Sequence, residues 1–286
     1  MKILVTGAEG LLGTTVVADA GKRGHDVSSR GRTSLDVTDS DAVRRAIEAA
    51  IPEVVIHCAA YTAVDRAESE PELADAVNRG GTENVARACA EARAALVYVS
   101  TDYVFDGRKR APYLPQDDPH PLSVYGRTKL EGERAALAAG EALIIRTSWL
   151  YSASSGFVPA ILRKARSREP LRVVDDQRGR PTWAPHAAAA ILDLTEAAAR
   201  GIWHVAGAGE CSWLELARAA LALAGLEADL RPVSTEEYSA PAPRPAYSSL
   251  DLTATEARLG RTMPHWREGL RQFVARSGAH SPERYG

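Results

Sequence analysis

The chain has 286 residues, enough for one large domain or for a domain carrying a smaller lobe. Apolar residues make up 45% of it and charged residues 25%, the balance of a soluble globular protein. The formal net charge is −2 and is spread along the chain, which excludes the basic stripe of a nucleic-acid or membrane-surface binder and leaves a small molecule as the expected partner.

Lys2 to Thr6 is a short apolar run ending in a glycine turn, and Leu11 to Arg23 follows with helical spacing. The sequence enters that first strand without a charged region and long apolar stretch ahead of it, and no apolar run approaches the roughly 18 residues of a membrane span. A second strand is expected over His25 to Ser29. Thr38 then starts a helix, with Asp41 completing a capping box, and Pro52 stops it near Ile51. Glu53 to Cys58 reads as a strand buried on both faces. The alternation continues through a helix over Leu73 to Glu91, a strand over Ala95 to Ser100, a helix over Ser123 to Ala139 and a strand over Ala142 to Thr147. Five strand–helix alternations predict a doubly wound α/β fold with a parallel sheet.

After Ser148 the rhythm loosens, and loops are expected over Tyr151 to Gly156, Asp175 to Pro185 and Tyr238 to Pro245. We therefore expect residues 1–150 to form a dinucleotide-binding domain. Residues 151–286 would form mainly a substrate-binding lobe, with segments returning to the main domain. Ser277 to Gly286 is polar and expected to fray. Cys58, Cys89 and Cys211 are odd in number and lack CxxC spacing, so they read as reduced, buried thiols of a cytoplasmic protein rather than as a disulfide framework or a metal site.

Three motifs carry chemistry. In Gly7-Ala8-Glu9-Gly10-Leu11-Leu12-Gly13, between the first strand and first helix, Gly7 permits the tight turn and Gly10 lets backbone approach a pyrophosphate. Gly13 allows close helix–sheet packing, and the helix N-terminus faces the phosphates. After the second strand, Arg30 and Arg32 stand where an acid would bind the ribose diol of NAD. An arginine there suits a 2′-phosphate, which favours NADPH and leaves NADH open. Tyr125 and Lys129 fall four apart on one helix face, about 6 Å along the axis, so the ammonium is expected to lower the phenol's pKa for acid catalysis. Thr101 ends an apolar strand at the edge where parallel sheets bind ligands, placed to hold a carbonyl oxygen.

The GxxGxxG spacing resembles that of the extended short-chain dehydrogenase/reductase superfamily. Within it the chain resembles the dTDP-4-dehydrorhamnose reductase family and related antibiotic-sugar 4-ketoreductases, nearly end to end. The matching segments are GAEGLLG, LDVTD, AAYTAVDRAESEPE from Ala59, Val77-Asn78, STDYVFDG, YGRTKLEGE, RTSWLY from Arg146, DQRGRPT ending at Thr182 and RPAYSSL from Arg244. The resemblance implies a catalytic trio of Thr101, Tyr125 and Lys129. It implies cofactor contacts at Gly10, Leu11, Leu12, Asp36, Val37, Ala59, Ala60, Tyr61, Thr62 and Lys129, and contacts to a dTDP-linked keto-sugar at Val64, Asp102, Tyr103 and Trp149. Arg178 and Arg244 lie in loops expected to close over the nucleotide diphosphate. Some family members dimerise around magnesium held by glutamates. The matching positions here are Thr15 and Pro185, which supply no carboxylate, so no metal is expected and the protein would be a monomer or a weak dimer. Three alternatives stay open: an epimerase or dehydratase of the superfamily, a non-catalytic NADP-binding regulatory subunit, and a 4-ketoreductase for another deoxysugar. A dehydratase would carry an acidic pair after Thr101, whereas Tyr103 follows Asp102 here.

Overall fold

The computed structural model describes residues 1–276; the expected frayed tail at 277–286 lies outside them. The first half runs β1 (Lys2–Thr6), α1 (Leu11–Lys22), β2 (Asp26–Arg30), α2 (Ser40–Ala50), β3 (Val54–His57), α3 (Val64–Ala67), α4 (Pro71–Asp75), α5 (Gly81–Ala92), β4 (Ala95–Thr101), α6 (Val124–Ala138) and β5 (Leu143–Thr147). The second half adds β6 (Leu150–Tyr151), α7 (Phe157–Arg166), β7 (Leu171–Val174), β8 (Arg178–Gly179), β9 (Thr182–Trp183), α8 (Ala184–Glu196) and β10 (Gly201–His204). It closes with β11 (Cys211–Ser212), α9 (Trp213–Ala224), β12 (Leu230–Val233), α10 (Thr235–Tyr238), α11 (Thr253–Leu259) and α12 (Trp266–Arg276).

Six strands form one parallel sheet in the order β10-β5-β4-β3-β1-β2. The chain starts at β1, moves outward to β2, then crosses back to β3 on the other side. That reversal leaves a crevice between the C-terminal ends of β1 and β3, the place where open α/β sheets bind ligands. Alternate strand residues serve opposite faces. Ile3, Val5, Ile56, Val97 and Ile145 pack with Leu12, Val16 and Ala20 of α1 and Ala187 to Leu194 of α8. Leu4, Val55, Leu96, Tyr98 and Ile144 pack with Val43 and Ile47 of α2, Val85 and Cys89 of α5, and Ala136 of α6. Both faces are thereby covered, as continuous apolar strands require.

A separate apolar core gathers Val158, Ile161, Leu171, Trp183, Leu214, Leu221, Leu270 and Phe273 in the second half. Three two-stranded pairings, β7 with β12, β8 with β11 and β6 with β9, frame it. β10 leaves this region and extends the main sheet beside β5.

Some expected boundaries differ. Helix α2 begins at Ser40, not Thr38, because the Asp39 side chain accepts from Ala42 N at 2.9 Å. Thr38 is instead held by Asp36, which accepts from its amide and its hydroxyl. The expected helix over Leu73 to Glu91 is two α-helices joined by a π-helical stretch over Ala76–Gly80. Asp175 to Pro185 is not a loop throughout: it holds β8, β9 and the first turn of α8.

Candidate active site

Gly7 turns the chain out of β1 with φ +63°, and a methyl group there would lie 2.5 Å from the Ala59 amide at the end of β3. Only glycine lets the two loops meet across the crevice. Gly10 begins α1 with no capping side chain, so the first-turn N–H groups remain available to an anion. Gly13 packs against the Gly7 carbonyl, where a methyl group would come within 2.2 Å. It therefore closes the turn itself rather than a helix–sheet contact. Leu12 lies in the core, so its backbone, not its side chain, faces the cradle, and Leu11 is half-buried beside it. A bare helix N-terminus over a turn that no side chain could fill suits a dinucleotide pyrophosphate.

Around that cradle, Arg30 closes β2 and Arg32 is exposed just beyond it. Asp36 is exposed, its carboxyl held below the ordinary carboxylate range by the Thr38 amide and hydroxyl. Val37 is buried and packs on Gly81. Ala59, Ala60, Tyr61 and Thr62 form the loop after β3. Val64 opens α3 behind them.

Thr101 ends β4 and Tyr125 sits in the first turn of α6, which Ser123 caps through Gly126 N at 3.1 Å. A methyl group on Gly126 would lie 2.1 Å from the Tyr103 carbonyl, so that glycine seats α6 directly on the strand end. The seating sets the Tyr125 phenol beside the Thr101 hydroxyl. The Tyr103 and Tyr125 rings meet edge to face at 5.8 Å. Asp102 is 2% exposed, takes the Thr101 hydroxyl at 3.2 Å and borders Ser248; its Oδ2 has no hydrogen-bond partner among the described residues. Burial raises the Asp102 carboxyl to about 7.

The electrostatics of Tyr125 differ from the expectation. Burial pushes its phenol up to about 12, the Thr101 hydroxyl pulls it down, and Lys129 is not among the groups that move it. The Lys129 ammonium donates to Val99 O at 2.6 Å and lies 4.0 Å from the centre of the Tyr98 ring. Burial lowers Lys129 itself to about 7, against the pull of Glu133. Burial thus dominates the phenol's shift, and the neighbouring Thr101 hydroxyl opposes it.

The remaining expected residues divide. Trp149, in the left-handed region at φ +46°, lies flat on Trp213 with ring centres 3.5 Å apart and covers Gly179. Arg244 reaches the edge of the catalytic cluster: it lies beside Tyr103 and pairs with Asp65 at 2.9 Å. Arg178, expected in a loop closing over the diphosphate, is exposed on β8 and pairs with Glu215 at 3.4 Å.

Two groups went unrecognised in the sequence. Asn78 lies in the π-helical stretch, where its side chain accepts from Tyr61 N at 2.8 Å and donates to Thr128 Oγ1 at 2.9 Å. It ties the β3 loop to the helix of Tyr125 and Lys129. The Val77-Asn78 pair stood in the resemblance without a role, and an asparagine within a helical run was the available signal. Trp213 was missed because a tryptophan opening an amphipathic helix reads as packing.

The model of the RmlD substrate binding domain family matches residues 1–278. The dTDP-4-dehydrorhamnose reductase of Mycolicibacterium smegmatis is 42% identical over 96% of this chain and 85% of its own length. A dTDP-4-keto-6-deoxy-D-glucose reductase of Streptomyces niveus is 37% identical over 94% of this chain and 95% of its own. Among solved structures, dTDP-4-dehydrorhamnose reductase of Bacillus anthracis in complex with NADP superposes with a TM-score of 0.93 at 37% identity, covering 96% of this chain and all of that one. The UDP-glucose 4-epimerase of Thermus thermophilus shares the fold at a TM-score of 0.87 and 21% identity. The strand-end threonine, the YxxxK helix and the glycine cradle assembled here are accompanied by family-level similarity along nearly the whole described chain. The chain belongs to the dTDP-4-dehydrorhamnose reductase family.

Proposed function

We propose that the protein reduces the C4 keto group of a dTDP-4-dehydro-6-deoxy sugar, foremost dTDP-4-dehydrorhamnose to dTDP-L-rhamnose, using NADPH, with NADH as a second donor. The observation that carries this reading is the seating of Tyr125, in the first turn of α6, against the Thr101 end of β4 at the C-terminal edge of the sheet. The relatives' names support the substrate class.

The residues present fit a dinucleotide. The α1 N-terminus and the Gly7–Gly10 turn would hold its pyrophosphate, Arg30 and Arg32 a 2′-phosphate, Asp36 and Val37 the adenine side, and Ala59 to Thr62 the central stretch. Lys129 would bind the nicotinamide ribose hydroxyls. The cofactor supplies the hydride that adds to C4. Tyr125 donates its proton to the C4 oxygen, and the Thr101 hydroxyl, turned from Asp102, would donate to that same oxygen, so charge developing on oxygen is met by two O–H donors. Asp102, Tyr103, Val64 and Trp149 would line the sugar, and Arg244 would meet the diphosphate.

The relative from Streptomyces niveus supports a second reading, a 4-ketoreductase for another dTDP-deoxysugar. We further read residues 1–150 as the dinucleotide-binding unit and 151–286 as mainly the substrate lobe, with α8 and β10 serving the main sheet. We assign activity to a monomer or weak dimer that needs no intersubunit metal, because Thr15 and Pro185 offer no carboxylate. The three free cysteines support a cytoplasmic site. No helix among the described residues is long and apolar enough to cross a membrane. The decisive experiment follows NADPH oxidation against a panel of dTDP-4-keto sugars with product identification. Turnover of dTDP-4-dehydrorhamnose to the L-rhamnose product is expected. Turnover of a different sugar alone would favour the second reading, and cofactor binding without turnover of any would point to a regulatory subunit.

A further inference from the structure

The cradle contains a charge that the cofactor reading of the sequence overlooked. The β1–α1 loop crosses the end of β2, where Ala8 N donates to Arg30 O at 3.1 Å. The next residue, Glu9, lays its carboxylate over Gly31: a methyl group on Gly31 would lie 2.0 Å from Glu9 Cδ and 2.3 Å from each carboxylate oxygen. Gly31 directly follows the last residue of β2. That strand end is where a dinucleotide fold carries the acid that accepts hydrogen bonds from the ribose 2′-hydroxyl. Here no acid follows β2 at that point, and Glu9 brings one to it from the glycine loop. Neither arginine neutralises it. Arg30 donates to Ser29 O at 3.0 Å, and no hydrogen bond or ion pair joins Glu9 to Arg30 or Arg32 among the described residues.

We infer that Glu9 sets the preference at the ribose 2′ position, acting as the ribose acid for NAD(H) and opposing the 2′-phosphate of NADP(H) that the two arginines attract. The inference rests on the dinucleotide reading above. Opposed groups of this kind make a site that accepts both cofactors, and they make Glu9 the residue whose charge decides between them. Gly31 belongs to the same device, since its missing side chain is what admits the carboxylate.

The test measures dissociation constants of the whole protein for NAD⁺ and NADP⁺ by titration calorimetry, in the natural chain, in Glu9→Gln and in Gly31→Ala. The first variant removes the charge; the second keeps it and pushes it off the strand end. Both should raise the preference for NADP⁺ over NAD⁺ on the order of five- to tenfold, as expected for one unit charge a few ångströms from a phosphate when water fully screens the pair. An unchanged ratio in both variants would overturn the inference and leave the dinucleotide reading standing. So would an equal loss of both ligands, which would make Glu9 a loop support. A natural chain that binds neither dinucleotide would overturn both readings together.

Discussion

Arg146 and Glu133 face each other inside the protein as a two-point ion pair, at 2.7 and 3.0 Å, with each side chain 2% exposed. The Ser100 hydroxyl donates to the same carboxylate, Arg146 donates to Pro115 O at 3.1 Å, and the guanidinium lies 5.0 Å from the Phe105 ring centre. The network joins the end of β4 to α6 and β5, the three elements around Thr101 and Tyr125. Removing one partner strands the other charge, so Glu133→Gln should cost about 3–5 kcal/mol in urea denaturation. Replacing both partners by apolar residues (Arg146→Met with Glu133→Leu) should cost less than that single change.

Tyr125→Phe should lower kcat by about 10²–10⁴ while leaving substrate affinity near its natural value, because the ring and its contact with Tyr103 remain. Thr101→Val removes one hydroxyl from the same oxygen and should cost about tenfold, the worth of a single hydrogen bond of roughly 1–1.5 kcal/mol. Steady-state kinetics with far-ultraviolet circular dichroism as a folding control would check both; near-normal turnover by Tyr125→Phe would remove the phenol from the mechanism.

Asp102 changes from carboxylic acid to carboxylate across about pH 7, where burial has raised it. The KM for the keto-sugar should therefore vary between pH 6 and 8, and Asp102→Asn should flatten that dependence. The same group has a signature in stability. Its folded pKa exceeds its unfolded one, so the native state holds the extra proton in between, and stability from this group falls as pH rises from about 4 to 7. The asparagine variant should lack that fall.

His57 and His204 work in the opposite sense. Burial holds both at about 3, so they stay neutral in the native protein, whereas the unfolded chain takes up their protons below about 6.5. Each should remove about 1.4 kcal/mol per pH unit as pH falls through that window. Urea midpoints at pH 7, 6 and 5 for the natural chain and His57→Gln would measure it: the variant, though less stable at pH 7 through loss of the 2.6 Å Thr6 contact, should fall less steeply.

Exhaustive chelation should leave turnover and sedimentation behaviour unchanged. Thr15 donates back to Leu11 O and Pro185 occupies the first turn of α8, so neither offers an oxygen anion to magnesium. Strict loss of activity on chelation, restored by magnesium, would contradict this.

Most of the main sheet was legible because β1, β3, β4 and β5 are short apolar runs and β2 lies between helical stretches; each of these five appears within a residue or two of its expected place, whereas the sixth strand, β10, was not expected. The order of Gly7, Thr101, Tyr125 and Lys129 was legible for the same reason, since motif spacing survives in one dimension. Partnerships were not. That Lys129 turns to Val99 and the Tyr98 ring while Thr101 lies beside the phenol depends on how β4 and α6 are seated, and Gly126 decides that through space. The weak strands of the second half, two residues each in β6, β8, β9 and β11, are too short to leave a period. Thr38 mimicked a cap because hydroxyl and carboxylate N-caps are interchangeable in pattern, and only the backbone angle at Asp39 distinguishes them.

The position of β10 has a consequence for synthesis. During translation the chain completes β1 to β5 by Thr147, yet β5 stays an open edge until His204 has emerged and β10 can pair along it. In that interval Leu143 to Thr147 presents unpaired backbone in an apolar strand, and the α8 residues that cover Ile3, Val5 and Ile145 have not yet arrived. The nascent protein is thus most exposed to wrong pairing after half its length is made, and pauses between the emergence of Thr147 and that of His204 should lower soluble yield more than pauses placed later.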